Sequence, residues 1–309
     1  MAGRIKIVEV GPRDGLQNEK KSLGVPTRLE FIRKLADSGL KRIEVGAFVS
    51  KDWVPQMEST QEVVLQVLKE QSSGSLPKDV QASCLVPNVR GMEDAIKSKI
   101  KEVAIFGACS ETFSKRNINC SIAESFIRFR GVMDLAKKNK IKVRGYLSTA
   151  FGCPYEGKVN EARVVRLVRA MLKLGVYEVS IGDTIGVATP KQVESLLKKI
   201  KRVAPMSKVA MHLHDTRGVG LANVYASYKL GVRVFDSSLG GLGGCPYALG
   251  ASGNLATEDL VYMLWGMGIK TGIDLEKLIE VRKWAEREIG RELPARVSRA
   301  GLPIKGTLF

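Results

Sequence analysis

The chain alternates between two hydrophobic rhythms. Short runs rich in β-branched residues recur at 5–10 (IKIVEV), 42–49 (RIEVGAFV), 80–86 (VQASCLV), 102–108 (EVAIFGA), 142–148 (KVRGYLS), 178–183 (EVSIGD), 208–215 (KVAMHLHD) and 232–238 (VRVFDSS). Their length and composition predict strands. Most of the intervals carry apolar residues at helical spacing. TRLE (27–30) reads as a capping box ahead of Phe31, Ile32 and Leu35 on one face. SIAE (121–124) and TPKQ (189–192) repeat the device, the second with Pro190 at the first helical position. Gly39, Gly175 and Gly231 stand where helices would stop.

Eight strands separated by helices predict an α/β fold, a (β/α)8 TIM barrel, with a doubly wound sheet as runner-up. Polar residues gather where the strands end: Arg13 and Asp14, Glu111, Asp183, then His212, His214 and Asp215. On a barrel that face carries the site, because only its loops reach over the axis. One catalytic domain is expected over 1–309, with the barrel over about 4–254 and a C-terminal helical extension over about 255–309. That extension opens with TEDLVYMLWGMG, capped by Thr257. No Pro- or Ser-rich linker and no solenoid period interrupts the pattern.

Composition narrows the picture. With 44% hydrophobic and 26% charged residues the chain reads as soluble and globular. No apolar run approaches the roughly 18 residues of a membrane span. The N-terminal MAGRIKIVEV goes straight into a strand pattern without the apolar core of a signal peptide. The expectation is a cytoplasmic protein, or a mature form in the mitochondrial matrix. Five cysteines, at 84, 109, 120, 153 and 245, are scattered and odd in number, which favours reduced thiols. A net charge of +17 attracts polyanions. However, KKIKR (198–202) and KKNKIKVR (137–144) lie at helix ends and strand starts, and the 6% aromatic residues are not interleaved with them. Nucleic acid is therefore not an expected partner.

The chain has two histidines only, His212 and His214, at the end of the seventh run. Residues i and i+2 of a strand share a face, so both imidazoles project together and form a natural chelate for a divalent metal. Asp14 is the best further ligand, with Asn254 and Asp183 as others. Such a nitrogen and oxygen set suits Mg or Mn better than a closed zinc site. GGLGGCPYALGASGN (240–254) carries six glycines and Cys245. A stretch this long without structural pattern is expected to be functional, a lid that delivers Cys245. GCPY recurs at 152–155, which makes Cys153 the static alternative.

VGPRDGLQNE (10–19), FVSKDWVPQM (48–57), RNINCSIAESF (116–126), GCPYEGKV (152–159), GDTIGVATP (182–190), HLHDT (212–216) and GGLGGCPYALGASGNLATEDLVYML (240–264) resemble the 3-hydroxy-3-methylglutaryl-CoA lyases. The resemblance covers most of the chain. Related isopropylmalate and homocitrate synthases share the RD start but usually continue RDGEQ, where this chain reads RDGLQ. The resemblance implies metal-dependent cleavage of 3-hydroxy-3-methylglutaryl-CoA to acetyl-CoA and acetoacetate, as in leucine degradation and ketogenesis, by a homodimer. It implies Asp14, His212, His214 and Asn254 as metal ligands. Arg13 matches the residue beside the thioester carbonyl and Cys245 the loop thiol. Glu44, Asp183 and Glu258 match further acids. Gln17 and Gly244 fall in the substrate-binding motifs.

The chemistry agrees. A retro-Claisen cleavage needs a base for the tertiary hydroxyl, a cation for the departing enolate and an acid to protonate it. A permanently charged Arg13 suits the enolate oxygen. Cys245 can pass the proton. His212 and Asp183 both remain open as the first base. HDTRG puts Arg217 where many relatives carry Tyr or Phe, either to reach a CoA phosphate or to join the basic surface. The tail has no peroxisomal SKL ending. The alternatives are a condensing synthase on a 2-oxo acid, a lyase for another 3-hydroxyacyl-CoA and, more distantly, a polyanion-binding protein.

Overall fold

The computed structural model describes residues 5–243 and 253–303. Eight parallel strands close on themselves: β1 (Lys6–Glu9), β2 (Arg42–Ala47), β3 (Gln81–Leu85), β4 (Glu102–Ala108), β5 (Lys142–Ser148), β8 (Glu178–Asp183), β9 (Val209–Leu213) and β10 (Val234–Ser237). β1 pairs with both β2 and β10, so the sheet has no edge and the doubly wound alternative falls away. Two further short strands, β6 (Gly152–Cys153) and β7 (Gly157–Lys158), form an antiparallel hairpin over the end of β5 that the hydrophobic pattern did not signal.

Alternation along the strands sorts the side chains into two layers. Ile43, Val45, Val143, Leu147, Val179 and Ile181 are buried against the helices. The opposite parity carries Arg42, Glu44, Arg144, Tyr146, Glu178, Ser180, His212 and Asp236. These bond to one another across strands that are not neighbours, which places them inside the barrel. Val8, Val10, Ala210 and Val234 form a small apolar cluster of that parity, which Leu85, Ala104 and Phe106 share. Barrels are commonly filled by branched apolar side chains. This one is filled largely by an ionic network.

The helices are α1 (Val25–Asp37), α2 (Thr60–Ser73), α3 (Val89–Lys97), α4 (Glu111–Ile118), α5 (Ile122–Lys138), α6 (Glu161–Leu174), α7 (Pro190–Ile200), α8 (Gly220–Lys229), α9 (Thr257–Gly266), α10 (Leu275–Ile289) and α11 (Arg296–Ala300). α10 packs between α9 and α1, with the Phe31 and Trp284 ring centroids 5.8 Å apart. The capping box on α5 is present: Ser121 Oγ accepts from Glu124 N at 3.2 Å and Glu124 Oε2 from Ser121 N at 2.8 Å. On α7, Gln192 Oε1 accepts from Thr189 N at 2.9 Å.

Two expected caps are corrected. TRLE lies inside α1, which starts at Val25 behind Gly24. Pro26, lacking an amide, is at home in a first turn, so the helix begins before Thr27. Thr257 is the first residue of α9, not its cap. Its hydroxyl donates to Glu9 Oε2 at 2.6 Å and lies 2.8 Å from Ser237 Oγ, so it pins α9 to the barrel.

Candidate active site

The end of β1 is folded into one wide turn. The amides of Arg13, Asp14 and Gly15 all point at Val10 O, at 3.1, 2.7 and 3.2 Å. That turn swings Arg13 and Asp14 over the barrel mouth. Arg13 Nε donates to Glu44 Oε2 at 2.7 Å, and Arg13 Nη1 to Asp14 Oδ1 at 2.6 Å. The guanidinium is buried but not isolated: burial opposes its charge, and the two carboxylates outweigh it and raise its pKa. Glu44 goes the other way. Its burial prevails over Arg13 and raises its pKa.

His212 and His214 project together from the end of β9, as the i, i+2 spacing predicts, with their Nε2 atoms 3.2 Å apart. Asp14 Oδ2 lies 4.0 Å from His212 Nε2. One ligand atom from each of Asp14, His212 and His214 falls within 4.8 Å of the others, a grouping able to hold a metal ion. Asn254 Nδ2 donates to Asp14 Oδ2 at 2.8 Å and to Leu242 O at 3.1 Å, which holds its amide at the edge of the same space. Burial and the neighbouring His212 push His214 down to about 3, so its ring stays neutral with a lone pair to give. Asp14 is held below the usual carboxylate range because Arg13 and His212 overcome its burial. His214 Nδ1 is buried without a hydrogen-bond partner among the described residues. Two abutting imidazole nitrogens beside an ionised carboxylate, in a buried recess, fit a divalent cation.

These groups open on a cavity of about 720 Å³. Arg13, Asp14, Gln17, His212 and His214 line it, together with the aromatic Phe106, Phe113 and Tyr146 and the basic Lys115, Arg116 and Arg128. Such a recess is large enough for an extended acyl thioester.

The HMGL-like family model matches residues 4–284. The chain belongs to that family. The rat protein named hydroxymethylglutaryl-CoA lyase, mitochondrial, is 48% identical over 297 residues, covering 96% of this chain and 89% of the relative. The solved hydroxymethylglutaryl-CoA lyase of Pseudomonas aeruginosa superposes with a TM-score of 0.91 at 44% identity, over 96% of this chain and 97% of that one. The Acinetobacter baumannii HMG-CoA lyase, solved with coenzyme A and 3-methylmalate, gives 0.91 at 36% identity over 99% and 97%.

Other candidates also hold neighbouring turns and helices of this HMGL-like barrel. Asp183 accepts from Val187 N at 3.0 Å and Ala188 N at 2.9 Å, holding the turn before α7, and burial raises its pKa. Glu258 accepts from Gly240 N at 2.7 Å and Ser298 Oγ at 3.2 Å, behind the stem of the glycine stretch. Glu111 Oε2 accepts from Ile122 N, so it ties α4 to α5. Asp215 accepts from Gly220 N at the start of α8 and pairs with Arg296. Arg217 donates to the carbonyls of Ile185 and Gly186 at 2.8 and 3.0 Å, which joins two mouth loops. Cys153 is buried, with its Sγ 2.9 Å from Ser110 Oγ. Gly244 and Cys245 lie outside the described residues. The flanks of that stretch are described: Gly253 N donates to Gly243 O at 3.1 Å, next to Asn254.

Sequence reasoning missed Tyr146, Arg144, Ser180 and Asp236. Their signal was there, as charged or hydroxyl residues at every second position inside apolar strand runs.

Proposed function

We propose that this chain cleaves 3-hydroxy-3-methylglutaryl-CoA into acetyl-CoA and acetoacetate, as a carbon–carbon lyase with a divalent cation, Mg or Mn. The observation that carries the reading is the convergence of Asp14, His212 and His214 beside the buried guanidinium of Arg13 on a single cavity. The likeness to proteins named hydroxymethylglutaryl-CoA lyase supports the substrate.

Asp14, His212, His214 and Asn254 would hold the cation. Bound there, it would lower the pKa of the substrate's tertiary hydroxyl and help to orient the substrate. Arg13, fixed by Glu44 and Asp14, faces the thioester oxygen and takes up the charge of the departing enolate. His212 and Asp183 both stay open as the base for the hydroxyl proton: His212 would need Nε2 free of the cation, and Asp183 would need an oxygen to spare from the two amides it accepts. Cys245 then gives the enolate carbon its proton, from a stretch whose flanks stand beside Asn254. Gln17 and Gly244 contact the acyl portion, and Glu258 supports the stem of the glycine stretch. We keep a homodimer as the assembly and the cytoplasm as the compartment, with the mitochondrial matrix as its alternative. Four buried, unpaired cysteines among the described residues agree with a reducing compartment.

The test is a cleavage assay before and after EDTA, with Mg and Mn restored separately. Activity should vanish and return. His212→Ala should lose cation binding and rate together. A condensing synthase would instead consume acetyl-CoA with a 2-oxo acid and leave the lyase substrate intact. A polyanion binder would retain nucleic acid regardless of chelator and lose it with salt.

A further inference from the structure

Asp236 stands beside His212 in the register of β10 and β9. It is 2% exposed, inside the barrel, below the cavity rather than in it. Arg144 grips its carboxylate with both fork nitrogens, Nη2 to Oδ1 at 2.7 Å and Nη1 to Oδ2 at 3.1 Å. Ser180 Oγ donates to Oδ2 at 2.7 Å. Arg144 is itself braced from the other side, its Nε donating to Glu178 Oε1 at 2.7 Å. The carboxylate therefore has no freedom to turn. Its Oδ2 lies 3.3 Å from His212 Nδ1, an ion-pair approach off hydrogen-bond alignment to a buried nitrogen that has no hydrogen-bond partner among the described residues, and the other nitrogen of that ring faces Asp14 and His214.

Imidazole has two nitrogens, and a proton kept on one leaves the lone pair on the other. A carboxylate held still against Nδ1 makes that choice for the ring and stops it from flipping. We propose that Asp236, clamped by Arg144 and Ser180, is the positioning residue that turns His212 Nε2 toward the Asp14–His214 cluster. The assignment rests on the metal-centre reading above. A purely structural ion pair in the barrel would predict something different, that Asp236 and Glu178 matter alike, because both neutralise Arg144.

The measurement is Mn²⁺ affinity of the full chain without substrate, from the loss of the free-ion electron paramagnetic resonance signal on titration. Melting curves verify that each variant is folded. Asp236→Asn should weaken Mn²⁺ binding about 10–100-fold. Glu178→Gln, which touches Arg144 but not His212, should stay within about twofold of the wild type. If Asp236→Asn does not fold, Ser180→Ala serves in its place, with a several-fold loss expected. Equal losses in Asp236→Asn and Glu178→Gln, or an unchanged affinity in the aspartate or serine variant, would overturn the positioning role. A wild-type protein that binds no Mn²⁺ would remove the metal-centre reading itself, an outcome distinct from an unchanged variant.

Discussion

Arg13 shows how a single side chain acquires a task. Its guanidinium is permanently charged and would resist burial, yet Glu44 and Asp14 satisfy three of its contacts at 2.6–2.7 Å. Lysine has no fork to match them. Arg13→Lys is expected to lower kcat about 10²–10³-fold with little change in KM, as read by steady-state cleavage assays. An unchanged kcat would remove Arg13 from the enolate. A second residue-level consequence concerns Glu258 and Glu9. Burial raises them to about 8 and about 7 from an ordinary 4.5, although backbone amides and the Thr257 hydroxyl pull the other way. Between pH 4.5 and 8 the folded chain therefore holds protons on these groups that the unfolded chain has released. Stability from this source is complete below pH 4.5 and fades as pH rises through 7 and 8. Glu258→Gln cannot titrate, and its amide can still serve Gly240 N and Ser298 Oγ. Its melting temperature should match the wild type near pH 5 and exceed it by a few degrees at pH 8.5. A gap that stays flat across that range would show that this carboxyl does not titrate there.

At the scale of elements, the apolar rhythm was a good guide where one element obeyed one rule. All eight barrel strands fall within the runs of β-branched residues, and Gly175 ends α6 in the left-handed conformation. It misled where two rules competed. Thr27 has the letters of a cap, but the proline before it moved the start of α1 upstream. The contrast is measurable. Ser121→Ala should cost about 1 kcal/mol, because it removes a real cap from α5. Thr27→Ala should stay within about 0.5 kcal/mol in urea denaturation. A larger loss at Thr27 would show that its hydroxyl caps the helix after all. The β6–β7 hairpin, two residues per strand, is too short for any periodicity to register.

For the molecule as a whole, chain order announced the barrel and the strand ends announced its working face. Asp14, His212 and His214 were legible because carboxylate and imidazole at such positions have few other uses. The polar filling beneath them was not. Arg144, Glu178 and Asp236 sit within runs that read as apolar, and only closure of the sheet shows that they meet. Cation binding should be felt across the whole fold, since a ligand of the native state stabilises by about 2.7 kcal/mol at a hundredfold excess over Kd. Adding Mn²⁺ should raise the melting temperature by several degrees and EDTA should reverse it, with His214→Ala insensitive to both. Equal shifts in that variant would place the cation elsewhere.

A barrel stuffed with charge rather than with branched hydrocarbon has a practical consequence for anyone who wants to redirect it toward another acid. The usual tactic of enlarging a pocket from below, by trimming the staves, would here cut through a web in which each arginine answers to several carboxylates, and a cut at Asp236 would reach the mouth through His212. The lip is the place to work. Trp53 and Ile118 border the opening without belonging to the web or to the hydrophobic core, so exchanging them should leave the machinery underneath in alignment.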